Sequence, residues 1–349
     1  MDENSRCAPL LLIACLIAAC GTGTPPASAA AADPRYRPPS YAALDRLKES
    51  QASVGSGQWA LPATLTMPRT GRPCPAVVLV HGSGPVDRDG TLGPNKPLAD
   101  LALGLASQGI GVLRYEKRTR RHGQALAREL GDNLTLEQET IADAVAAAKL
   151  LRGTDGVSPR RVFVLGHSLG GMAIPRIARA DSENRGFIIL AGATVPLEDT
   201  VLRQIRHLSL LDGRLSEAER RIISKIDAQA ARVKALRPGS QVARADLPLG
   251  LAAPYWLDLA SHRPAQELAT ETRPILVLHG DRDYQVTLQD FAGWQRALGG
   301  KPNGTLKRYR QLNHLFMTGT GPSSPTEYQR PGHVAIEVIQ DIASWIAKH

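Results

Sequence analysis

The sequence predicts an α/β protein with a mostly parallel, doubly wound sheet and a small helical insertion. Three observations predict it. Short strand-like runs near 77–80, 110–115, 162–165, 187–191, 275–279 and 305–309 alternate with helix-like stretches such as 97–108, 135–151 and 334–347. Strands that alternate with helices pack as a parallel sheet covered on both faces. Several of these runs feed directly into glycine-rich or polar loops, as strands do at the functional end of such a sheet. Gly166-His167-Ser168-Leu169-Gly170 follows the 162–165 run at once, which reads as a tight turn between a strand and a helix.

In chain order, residues 8–19 form an apolar run preceded by Arg6 and followed by Cys20. The run is too short to span a bilayer and suits a secretory signal, taken as residues 1–19. Ile17-Ala18-Ala19-Cys20 resembles the bacterial lipobox, in which the cysteine is lipid-modified and becomes the new amino terminus. The expectation is an exported protein, anchored by lipid on Cys20 to a membrane of the periplasm or cell envelope. Cleavage after Ala27-Ser28-Ala29 is the alternative and would leave a soluble periplasmic or secreted protein. Residues 20–40 are rich in Gly, Thr, Ala, Ser and Pro, a composition that reads as a flexible tether. Residues 41–349 then read as one domain.

Cysteine usage fits export without disulfides. Cys7 and Cys15 fall in the removed segment and Cys20 takes the lipid, so Cys74 stands alone as an incidental thiol. No Cys/His grouping has zinc spacing and no phosphate-binding loop motif occurs, so no metal and no cofactor is implied. The net charge is +9. Its basic residues are dispersed except for Arg118-Thr119-Arg120-Arg121 beside Lys117, read as a solvated loop. A nucleic-acid partner would need a recognised module as well, and aromatics at 4% are too few for a stacking platform. Oligomeric state is not legible.

The chemistry sits at strand ends. In Gly-x-Ser-x-Gly, small flanking residues let strand and helix approach, and the turn exposes the hydroxyl of Ser168 as a nucleophile. The N–H of Leu169, opening the next helix, can donate to an oxyanion. Upstream, the strand at 76–80 enters His81-Gly82-Ser83-Gly84-Pro85-Val86-Asp87-Arg88-Asp89-Gly90, a loop suited to supply the second oxyanion N–H. Ser83 is the chosen donor, with Gly82 in reserve. His81 precedes the serine and is read as a loop-holding residue, and Asp87, Arg88 and Asp89 as an ion-pair network. An acid and then a histidine should follow the serine. The loop after 275–279 offers Asp281 and Asp283, and the last short strand leads to His314, whereas His333 opens the final helix and His349 ends the chain.

The insertion between about 196 and 270 lacks strand-like runs and reads as a helical cap. Its Tyr255 and Trp256 either line a substrate pocket or anchor the cap to the core. Thr135-Leu136-Glu137-Gln138 is a helix-capping pattern. Pro175 inside the helix after Ser168 predicts a kink.

Gly-His-Ser-Leu-Gly-Gly, His-Gly-Ser-Gly-Pro-Val-Asp-Arg-Asp-Gly, Leu-Arg-Tyr-Glu-Lys-Arg, Gly-Asp-Arg-Asp-Tyr-Gln-Val and Leu-Asn-His-Leu-Phe together resemble a bacterial α/β-hydrolase family. It is the carboxylesterase group related to serine aminopeptidases and prolyl oligopeptidases, and the resemblance covers about residues 58–347. It implies an α/β-hydrolase fold with a small cap before the acid, and Ser168, Asp283 and His314 as a catalytic triad. The acid of that family stands three residues beyond the glycine of His-Gly, which selects Asp283 over Asp281. Glu116 replaces the aspartate common in its Tyr-Asp-Lys-Arg segment. The implied activity is hydrolysis of small carboxylic esters, often with short acyl chains. The same triad would serve a peptidase or an acyltransferase, and a non-catalytic surface lipoprotein is the reading that an intact triad opposes.

Overall fold

Side-chain alternation along the central strands explains the layers of the domain, which the computed structural model describes for residues 36–349. The signal, Cys20 and most of the expected tether lie outside the described residues. Along β3 (Cys74–Val80), Val78 and Val80 join a cluster with Ala144, Ile174 and Trp294, while Val77 and Leu79 join another with Leu101, Leu105, Ile339 and Trp345. Strands buried on both faces in this way need helices on each side.

Among the described residues one sheet has eight strands. In chain order they are β1 (Leu47–Val54), β2 (Leu61–Pro68), β3, β4 (Gly111–Tyr115), β5 (Val157–His167), β6 (Gly186–Leu190), β7 (Ile275–Gly280) and β8 (Gly304–Tyr309). Their spatial order is β1-β2-β4-β3-β5-β6-β7-β8. All pairings from β4 to β8 are parallel, and β1 and β2 are antiparallel. The two antiparallel strands are an addition to the six predicted. Lys48-Glu49-Ser50-Gln51 puts polar side chains on both faces of β1, so no apolar run marks it.

Helices α1 (Pro97–Ser107) and α10 (Ile336–Lys348) cover one face, and α3 (Ala142–Arg152), α4 (Leu169–Ala180) and α9 (Leu288–Leu298) cover the other. The α4 helix continues through Pro175 to Ala180. The basic run read as a loop is instead the start of α2 (Arg118–Leu130). Its Ala, Leu, Gln, Arg and Glu residues are good helix formers. Arg118 pairs with Asp143, Arg120 pairs with Glu116, and Lys117 at the N-cap is buried.

Between β6 and β7 the chain forms helices α5 (Leu197–Ser209), α6 (Glu217–Ala235), α7 (Ala253–Ala260) and α8 (Pro264–Leu268), with no strand. Ser216 and Glu219 close a capping box at the start of α6. Buried Asp290 ties the entry to this insertion, accepting from the N–H groups of Thr194 and Val195 and pairing with Arg203 at 2.6 Å. At the amino end, Tyr36 donates its hydroxyl to buried Asp100 at 2.8 Å, and Tyr41 donates to the Val334 carbonyl at 2.7 Å. The docked chain therefore includes Tyr36, inside the segment that composition assigns to the tether. No helix among the described residues is long and apolar enough to cross a membrane.

Register brings the functional loops together. Val80 of β3 lies beside Gly166 of β5, His167 beside Leu190 of β6, and Gly280 of β7 beside Tyr309 of β8. The segments after His81, His167, Gly280 and Tyr309 thus emerge from one end of the sheet, the carboxyl end where open α/β sheets bind ligands.

Candidate active site

Ser168 has φ 56° and ψ −116°, a conformation L residues avoid, and it stands between β5 and the first residue of α4. Such strain costs about 1–3 kcal/mol and persists only where neighbours impose it. Here they do. The Ser168 N–H donates to the Leu190 carbonyl at 2.9 Å, and its own carbonyl accepts from Met172 N–H at 2.9 Å, which starts the helix. A Cβ on Gly166 would lie 2.2 Å from the Gly170 carbonyl oxygen, and one on Gly170 would lie 2.6 Å from the carbonyl oxygens of Val80 and His81. Only glycine fits either place.

The loop after β3 passes over the serine. A Cβ on Gly82 would meet Ser168 Cβ at 3.3 Å and Oγ at 3.7 Å, so Gly82 abuts the hydroxyl, and Ser83 next to it is exposed. His81 is buried and its Nε2–H donates to the Tyr115 carbonyl at 2.5 Å. Burial, with Lys117 nearby, pushes its pKa down to about 3, so the ring is neutral and serves the loop. Arg88 pairs with Glu116, and Asp89 pairs with Lys96 and Arg114, forming the network expected of this loop.

Asp283 and His314 meet across the ends of β7 and β8. His314 Nδ1 lies 2.6 Å from Asp283 Oδ2, and both residues are buried. The other carboxylate oxygen accepts from the N–H groups of Gln285 at 2.8 Å and Val286 at 2.9 Å. Burial alone would raise the Asp283 pKa, but the His314 imidazole and the Val286 N–H outweigh it and hold the carboxyl below its ordinary range. An ionised carboxylate only accepts, so Nδ1 carries a proton, and in a neutral ring the lone pair is then on Nε2. Asp281 turns elsewhere and forms a two-pronged pair with Arg308 at 2.8 and 2.9 Å.

Two further residues shape the histidine loop. Asn313 Oδ1 accepts from the N–H groups of Leu315 and Met317, an Asx turn that closes the loop around His314. His167 donates from Nε2 to the His314 carbonyl at 2.9 Å, and burial pushes its pKa down to about 4. An Asn directly before the histidine is the sequence signal that could have pointed to the first. No local signal marks the second.

Tyr255 and Trp256 are both buried. Trp256 packs with Val233, Leu236, Leu247 and Ala253 of the insertion, and Tyr255 joins the main core and donates its hydroxyl to Glu139 at 2.5 Å. These contacts are those expected of the anchoring alternative. A surface groove of about 520 Å³, lined by residues including Met67, Arg72 and Asp155, lies at the amino ends of β3 and β5, away from Ser168. Among the described residues, no three His, Cys, Asp or Glu side chains converge to hold a metal ion.

The alpha/beta hydrolase family model matches residues 77–328. Esterase EstD of Thermotoga maritima is 40% identical over 315 residues, which is 90% of this chain and 71% of the relative. Est1E from Butyrivibrio proteoclasticus has a similar fold, with TM-score 0.54 and 16% identity over 85% of this chain and 98% of that one. Oligopeptidase B from Leishmania major matches at TM-score 0.52 and 14% identity, over 87% of this chain and 37% of that one.

Proposed function

This chain belongs to the alpha/beta hydrolase family, and from that premise we propose that it is an esterase that cleaves carboxylic esters of short acyl chains with Ser168, His314 and Asp283 as its triad. One observation carries the reading: the buried 2.6 Å contact of His314 with Asp283, at the sheet end where Ser168 is held in a strained turn. Ser168 Oγ attacks the ester carbonyl carbon while His314 Nε2 takes the hydroxyl proton. The carbonyl oxygen becomes an oxyanion facing the N–H groups of Leu169 and Ser83. Collapse breaks the bond to the leaving oxygen, which receives the proton from His314. Water, activated by the same nitrogen, then attacks the acyl-serine and releases the acid. Asp283 holds the imidazole in the required tautomer and stabilises it when charged.

The sequence identity to an esterase, over most of both chains, favours ester over amide as substrate. A panel of aryl esters from acetate to decanoate beside aminoacyl anilides tests this choice. Turnover is expected on the short esters, at least about a hundredfold above any anilide, a gap of roughly 2.7 kcal/mol in the barrier. Faster anilide cleavage would make the protein a peptidase. An alcohol acceptor that outcompetes water would make it an acyltransferase, and no turnover at all would support a non-catalytic role.

We also propose that residues 1–19 are removed, that Cys20 is lipidated, and that the domain works at a membrane surface, a reading supported by Ile17-Ala18-Ala19-Cys20. The sixteen residues from Cys20 up to the docked Tyr36 would reach roughly 55 Å if extended, enough to hold the site clear of the surface. Cys20→Ser should move the exported protein from the membrane fraction to the soluble one or stop its maturation. Mass spectrometry that finds an unmodified terminus near Ala30 would establish the soluble form instead.

A further inference from the structure

Lys117 is among the most buried charged side chains of the domain, with 2% of its surface exposed. A lysine is almost never placed so deeply without partners that need it. Its Nζ lies 2.6 Å from Glu139 Oε1 and donates to the Gly82 carbonyl at 2.7 Å. Glu139, also buried, sits in a π-helical turn (Glu137–Ile141) just before α3, and its other oxygen accepts the Tyr255 hydroxyl at 2.5 Å. A continuous polar chain therefore runs from the inserted helices through Tyr255, Glu139 and Lys117 to the loop over Ser168. The same strand end holds that loop at two more points: the Tyr115 carbonyl accepts from His81 Nε2, and Lys117 N–H donates to the Val86 carbonyl at 3.3 Å.

The Gly82 carbonyl and the Ser83 N–H belong to one peptide unit. The peptide is trans, so the two groups point in opposite directions in one plane. A group that fixes the carbonyl thereby fixes the aim of the N–H, and a cation on the oxygen also polarises the amide toward stronger donation. We infer that Lys117, braced by Glu139 and Tyr255, is a positioning residue that sets the Gly82–Ser83 peptide so that the Ser83 N–H stabilises the oxyanion. The inference rests on the reading of Ser83 and Ser168 given under Proposed function. It also gives Tyr255 a task. The tyrosine secures the insertion to the brace of the oxyanion loop.

The effect should appear in the transition state and leave ground-state binding alone. Removing the two charges together, as Lys117→Met with Glu139→Gln, avoids leaving a buried carboxylate unpaired. In the full chain, with a short aryl ester, kcat is expected to fall about tenfold to a hundredfold, short of the loss of a whole oxyanion donor, while KM stays within about twofold. An aryl trifluoromethyl ketone, which adds the serine oxygen to form an anionic hemiketal, should lose affinity by the same factor as kcat. The matching methyl ketone, which binds without forming the anion, should not. Equal losses for both ketones, or an unchanged kcat, would overturn the inference.

If the double variant does not fold, Tyr255→Phe decides. It keeps both charges and loosens the outer link, so a severalfold fall in kcat with the same split between the ketones is expected, and parental kcat contradicts the role. Ser168→Ala, measured alongside, separates the two levels. Retained turnover in Ser168→Ala would remove the underlying reading, whereas an inactive Ser168→Ala beside fully active Lys117 and Tyr255 variants would remove this inference alone.

Discussion

Replacing Ser168 with alanine is expected to leave a folded protein whose ester turnover is at least about a thousandfold lower. The substitution removes one oxygen and keeps Cβ, so the strain at φ 56° is the same in both proteins. The backbone hydrogen bonds of residue 168 to Leu190 and Met172 do not involve the side chain and persist. Circular dichroism and melting temperature should therefore match the parent while activity collapses. Activity within tenfold of the parent would mean that the hydroxyl is not the attacking group.

The second large effect separates two neighbouring aspartates. Asp283→Asn is expected to lower turnover by about 10³ to 10⁴, while Asp281→Asn lowers it less than about twofold. At 283 an amide can still accept from Gln285 and Val286 through its oxygen, which turns its NH₂ toward His314 Nδ1. A donor there forces the imidazole proton to Nε2, the position that must accept the serine proton. At 281 the change weakens a pair with Arg308, whose side chain is 42% exposed, and exposed pairs contribute at most about 1 kcal/mol to stability. The opposite ranking of the two variants would reassign the acid.

Much of this arrangement was legible because close approach leaves few choices of residue. Gly166 and Gly170 flank the serine where any Cβ would meet backbone oxygen, so the motif carries its geometry in its composition. Apolar runs marked the five strands from β3 to β7 for a similar reason, since burial on both faces disfavours polar side chains. The choice between Asp281 and Asp283 was different. Residue type and spacing allow either, and the family resemblance selected the one that the fold places against His314.

What stayed hidden depends on tertiary contact. The edge strand β1 carries polar residues on both faces and lacks the apolar signal. Charge pattern alone grouped Lys117 with the arginines after it as a solvated run, yet Lys117 turns inward to Glu139 and Gly82, and the arginines begin a helix. Composition leaves Tyr255 and Trp256 as either pocket aromatics or anchors, and the partners that bear on the choice include distant ones, Glu139 for Tyr255 and Val233 and Leu236 for Trp256. Local pattern cannot report such partners.

The most direct test of the central claim is to treat the full chain with a fluorophosphonate ester and map the adduct by peptide mass spectrometry. Phosphonylation needs a serine activated by its histidine, so it reports the nucleophile without assuming the natural substrate. The account predicts one adduct, on Ser168, formed in step with loss of ester turnover, absent in Ser168→Ala and strongly slowed in Asp283→Asn. An adduct on another serine, or undiminished labelling of the Ser168→Ala protein, would contradict it.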